Sequence, residues 1–174
     1  MIGVSVAELE AAAAQVLLRP VCADWSAVTP AMRRLELAAG SALREQCLRL
    51  GDLPVGSAVI TGAGQLAAEY MVHAVVRAGD EPPAPAMVRN ALVNGLRRLV
   101  ELEIESVAMA PLGTGAGNLE VERAADIMVS VLLEHYRSER FPAHVRIVVD
   151  ADYERDVFEQ RLRRHGLHLE GGKA

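Results

Sequence analysis

The chain has 174 residues, enough for one domain with a proper core. Hydrophobic residues make up 51% of it, which excludes intrinsic disorder. A net charge of −5 with only 3% aromatics excludes a nucleic-acid footprint, which needs a basic surface with stacking rings.

Taken in chain order, Ile2–Val6 is predicted as a short apolar strand. The Ala- and Glu-rich stretch Ala7–Ala14 predicts a short helix. Val16–Val21 predicts a buried strand ended by Pro20 and the polar turn at Asp24. Thr29-Pro30 is a helix start, with a hydroxyl cap and proline in the first turn. Met32, Leu35, Ala39, Leu43 and Cys47 then repeat at helical spacing, so one helix is expected to about Arg49, stopping at Gly51.

Strands follow at Ser57–Thr61 and Tyr70–Arg77, and the Pro/Gly-rich Gly79–Pro85 predicts a flexible loop. A helix over Pro85–Glu103, an apolar strand at 107–109, a helix over Glu120–Arg140, a strand His144–Val149 and a helix Tyr153–Arg164 complete the chain. Strands alternating with helices predict an α/β fold with helices on both faces of a mixed sheet. A single domain is expected over 1–170, with 171–174 as a frayed tail. Arg161, Arg163, Arg164 and His165 suit a helix C-terminus, and the acidic run Asp150, Asp152, Glu154, Asp156 suits a helix N-terminus.

Cys22 and Cys47 form no C-x-x-C pair, so no metal site is expected, and no cofactor. Two cysteines with no signal peptide point to a cytoplasmic protein with reduced thiols. No apolar run reaches the ~18–20 residues of a membrane span, so no membrane partner is expected.

The segment richest in chemistry is Ala108-Met-Ala-Pro-Leu-Gly-Thr-Gly-Ala-Gly-Asn-Leu-Glu120. An apolar strand enters a loop holding Gly113, Gly115 and Gly117, and an amphipathic helix leaves it. Such a loop presents bare backbone N–H groups to an anion, and a phosphate reaches the main chain only where no Cβ blocks it. Thr114 adds a hydroxyl. The residues alone leave two readings, a phosphate-binding loop and a tight strand-to-helix turn.

The chain resembles the macro domain family, best from about Gly51 to Phe158. The family pattern G-x-A-x-x-T, L, Y-V-I-H-A-V is answered by Gly56-Ser-Ala58, Thr61, Leu66 and Tyr70-Met-Val-His-Ala-Val75. Its P-x-[SG]-T-G-x-x-G is answered by Pro111-Leu-Gly-Thr-Gly115, with Gly117 closing the loop. Leu35, Ala38-Ala-Gly40, Leu43 and Cys47 match the family's helix ending A-A-G-x-x-L-x-x-x-C. The resemblance implies a three-layer α/β/α sandwich with a mixed central sheet. It also implies binding of ADP-ribose or a related nucleotide, which some members hydrolyse from ADP-ribosyl linkages.

The first half departs from the family pattern. Counted back from Gly40, Ala27, Val28, Thr29 and Pro30 occupy the family's glycine run. Arg19 and Cys22 fall where two asparagines orient the distal ribose, and Glu8 falls at the aspartate that holds adenine. Arg19 is expected either to meet a phosphate or to be a surface arginine at a strand end. Glu8 either accepts from an adenine amino group or lies on the exposed side of a short helix. Trp25 is expected to plug the pocket or stack on a ligand, narrowing it in either case. His73, mid-strand, is expected to be a satisfied core residue.

The ligand-binding set expected from sequence is therefore Gly113, Thr114, Gly115, Ala116 and Gly117, with Glu8 and Arg19. No catalytic constellation can be argued from spacing. Three functional readings follow: a module binding ADP-ribose or a related nucleotide phosphate, an ADP-ribosyl hydrolase with substituted residues, and a fold that lost its pocket and works by self-association or protein interaction.

Overall fold

A computed structural model describes residues 1–166; the expected tail at 171–174 lies outside the described residues. Six strands run β1 (Ile2–Val6), β2 (Val16–Cys22), β3 (Ala58–Gly62), β4 (Tyr70–Arg77), β5 (Ser106–Met109) and β6 (His144–Val149). Five helices run α1 (Pro30–Ala39), α2 (Ser41–Arg49), α3 (Pro85–Glu101), α4 (Val121–His135) and α5 (Asp152–Arg164). The sheet order is β1-β6-β5-β2-β4-β3, parallel throughout except for β3, which pairs antiparallel at the edge. This is the expected mixed sheet.

The period of two along a strand divides the core between the two faces. Leu18, Val72 and Met109 pack with Leu92, Leu96 and Met128 against α3, α4 and α5. Leu17, Met71 and Ala108 face the other way, against Met32 and Leu35 of α1 and Leu43 and Cys47 of α2. Short aliphatic side chains let both helical layers approach the sheet closely.

Four expectations need correction. The helix expected over Ala7–Ala14 is only a 3-10 turn at Leu9–Ala11. Leu9 is its one buried residue, so packing adds little to a segment too short to hold a helix by itself. Pro20 does not end β2, which continues to Cys22. Residues 16, 18 and 20 aim their backbone groups at β5, but that ladder stops at Leu18↔Met109. The N–H that proline lacks therefore costs no ladder bond.

The single helix expected from Pro30 to Arg49 is two, divided at Gly40. Gly40 takes a φ of +92°, and the Gln65 N–H claims the carbonyl of Ala39 that would have continued the ladder. Helix α4 stops at His135 rather than Arg140, because the polar stretch beyond it has no apolar face to bury.

Candidate functional site

A cleft of about 260 Å3 opens at the carboxyl ends of the parallel strands. Its floor is Pro20 of β2, Ala110 just beyond β5 and Val148 of β6. One wall is the first turn of α1, from Thr29 to Met32, with Arg34 one turn further. The opposite side is Thr114 and Gly115 of the glycine loop, and Leu9 and Glu10 close the β1 end.

The glycine loop is held by its own backbone. The Leu119 N–H donates to Gly113 O, the Asn118 N–H to Gly115 O, and Asn118 Nδ2 to Thr114 O at 3.0 Å. Gly113 is buried beneath the loop, Thr114 and Gly115 face the cleft, and Ala116 and Gly117 are exposed at its tip. Gly115 has a φ of +116°, and a Cβ there would stand 2.9 Å from Thr29 Cγ2. Only glycine fits this contact between the two loops.

Across the cleft, the Met32 N–H donates to Thr29 Oγ1 at 3.3 Å, capping α1 as its sequence predicted. The positive end of the helix dipole thus adjoins Thr114 and Gly115, an environment suited to an anion. The β1–β6 end differs in charge. Arg34 Nε lies 3.7 Å from Glu10 Oε1, and its Nη2 lies 4.0 Å from Asp150 Oδ1. Glu154 accepts from the Asp150 N–H at 2.9 Å. The acidic run does begin α5, as expected, and also supplies two carboxylates to the cleft. Glu8 is exposed on an adjoining depression with Arg34 and Asp150.

Arg19 sits apart from the cleft, in the core under α1 and α2. It is 3% exposed, so the surface reading of this residue is corrected. Its Nε donates to His73 Nδ1 at 2.9 Å and its Nη1 to Glu36 Oε1 at 2.8 Å. Thr61 Oγ1 donates to Gly62 O, so it accepts from His73 Nε2, 2.8 Å away. His73 is therefore the neutral Nε2–H form, with both nitrogens satisfied. Burial, reinforced by the Arg19 charge, holds its pKa well below the ordinary imidazole value. Burial also raises the Cys47 thiol, with Arg19 opposing.

Between β2 and Thr29 the chain folds onto itself instead of lining the cleft. Val21 bridges Ala27, and the Cys22 N–H donates to Ser26 O. Trp25 is 5% exposed, donates from Nε1 to Gly51 O at 2.8 Å, and meets the His73 ring edge-on at 5.2 Å. It plugs the face under α1 and α2. Arg77 completes this side, donating from Nε to Cys22 Sγ at 3.3 Å and from Nη1 to Asn118 Oδ1 at 3.2 Å.

Of the expected set the structure places Thr114 and Gly115 on the cleft, together with Arg34, which the sequence reading did not single out. Its place follows from the helix repeat, since it stands three and four positions after Ala31 and Pro30. Among the described residues, no cluster of three or more His, Cys, Asp or Glu side chains could hold a metal.

Known proteins share this architecture. A family model described as Macro domain matches residues 31–128. An uncharacterised protein of Aeropyrum pernix is 31% identical over 179 residues, covering 99% of this chain and 90% of its own. The O-acetyl-ADP-ribose deacetylase of Escherichia coli is 33% identical over 135 residues, covering 74% of this chain and 76% of its own. An Oceanobacillus iheyensis macrodomain variant with ADPR superposes with a TM-score of 0.84 at 16% identity, covering 93% of this chain and 91% of that one.

Proposed function

The chain belongs to the macro domain family, and on that premise we propose that its cleft binds a nucleotide phosphate of the ADP-ribose class, with the phosphates against the 113–117 loop. One observation carries this reading. Thr114 and Gly115 adjoin the capped N-terminus of α1 at one end of a cleft of about 260 Å3. The positive end of the α1 dipole and the main chain of the glycine loop thereby face one space. The ADPR bound by the Oceanobacillus iheyensis neighbour supports a ligand of this class.

The protein acts as a binding module in this reading, not as a hydrolase. Cys22 is engaged by Arg77, and Val28 is buried. Neither offers a base or a water-orienting group to the cleft. The open cleft also favours binding over the reading in which the pocket is lost.

Calorimetric titration with ADP and with ADP-ribose tests the proposal. Binding of at least one of them below ~1 mM is expected, an affinity of about 4 kcal/mol. Failure of both to bind would overturn it.

A further inference from the structure

The two walls of the cleft meet at one end, where a Cβ on Gly115 would stand 2.9 Å from Thr29 Cγ2. The shut end lies beyond Gly115, where a ligand passing the glycine loop would have to continue. Thr29 closes it from the α1 side, with its methyl against the Gly115 backbone. Asn118 flanks Gly115 on the loop's own side, its Nδ2 3.2 Å from where a Cβ on Gly115 would stand. Arg77 stands behind Asn118 and is fastened to Cys22. Among the described residues, none from 21 to 28 lines the cleft.

We infer that the cleft takes nucleotides that end in a phosphate, and excludes those that carry a second ribose beyond the phosphates. The inference rests on the nucleotide reading given above and names the ligand class within it. A ribose beyond the last phosphate needs room where Thr29, Asn118 and the Cys22–Arg77 contact are already in place.

Charge favours the same ligand class. The shut end is backed by a guanidinium, that of Arg77. Asp24 lies close enough to feel that charge, but its carboxylate already accepts from the N–H and Oγ of Ser26. A terminal phosphate monoester bears roughly −1.5 to −2 at pH 7, more than one esterified on both sides. It also presents its own oxygens as acceptors where a ribose would present carbon and hydroxyls. Backbone N–H groups at the loop and a cation behind it complement the former.

Isothermal titration of the full chain with ADP and with ADP-ribose, at one ionic strength, decides the matter. ADP is expected to bind at least fivefold more tightly than ADP-ribose. ADP-ribose binding equal to or tighter than ADP, or weaker by less than fivefold, would overturn the inference and leave the nucleotide reading standing. If neither binds, the nucleotide reading falls and the inference falls with it. Thr29→Ser removes the methyl that meets Gly115 and keeps the hydroxyl that caps α1. It is expected to shift the affinity ratio toward ADP-ribose by threefold or more. An unmoved ratio would take the exclusion away from Thr29.

Discussion

Arg19 and His73 stand directly opposite each other on adjacent parallel strands, joined by a 2.9 Å bond from the guanidinium Nε to the imidazole Nδ1. The pair ties β2 to β4 through side chains as well as through the ladder, and Glu36 locks α1 onto the same guanidinium. Arg19→Met would leave Glu36 without its cation and His73 without its donor. Breaking a buried pair on one side is expected to cost about 3 kcal/mol, read as a lowered urea midpoint. A midpoint unchanged from the parent would deny the pair its structural role.

The neutrality of His73 gives the fold a defined pH dependence. Its folded pKa is held well below 6.5, while the unfolded chain titrates near that value. The unfolded state therefore takes up a proton first as the pH falls. This contribution to stability is complete above ~6.5 and is lost as the pH drops toward the folded value. His73→Gln keeps an acceptor for Arg19 and a donor for Thr61 but cannot titrate. Urea midpoints from pH 7.5 to pH 5 should fall less steeply in this variant. Equal slopes in both proteins would remove His73 as the cause.

Gly115→Val places a branched side chain at a φ of +116° and within 2.9 Å of Thr29. The strain is expected to cost about 1–3 kcal/mol, which a domain of this size survives. Nucleotide affinity is expected to fall tenfold or more in calorimetry while the circular dichroism spectrum stays native. Parental affinity would detach the loop from the binding site.

Trp25 is the only tryptophan, and it lies under α1 and α2 rather than on the cleft. Its emission is expected to be blue-shifted, as for a residue 5% exposed, and to stay constant while calorimetry reports nucleotide binding. A shift in emission maximum that tracks saturation would mean that the β2–α1 loop rearranges around the ligand.

Hydrolysis is the remaining test. Purified protein incubated with O-acetyl-ADP-ribose or with an ADP-ribosylated protein is expected to release product at the rate of the enzyme-free control. Sustained turnover would overturn the binding-module reading and make the cleft carboxylates Glu10, Asp150 and Glu154 the first residues to substitute.

The strands were legible because their signal is local. Ile2–Val6, Tyr70–Arg77 and His144–Val149 are apolar runs bounded by polar or turn residues, and they appear with their expected limits. The loop at Thr114 and Gly115 was legible because glycine spacing is itself a backbone instruction. The fate of Arg19 was not, since it depends on a histidine 54 positions away and a glutamate 17 positions away in the chain. Pro20 misled for the same reason, because its tolerance depends on where a neighbouring strand stops. Arg34 carried a helical spacing signal, but nothing local tells which face of α1 looks onto the sheet ends.

The early end of the β2–β5 ladder has a wider consequence. From β2 the chain crosses by α1 on one side of the sheet, and from β5 it departs by α4 on the other. Between these two strands the winding reverses, and the two departing connections part to leave a crevice. Connectivity makes that crevice, not the residues that line it. A family built on this reversal can exchange its loop chemistry freely, and each descendant still inherits a hollow in the same place.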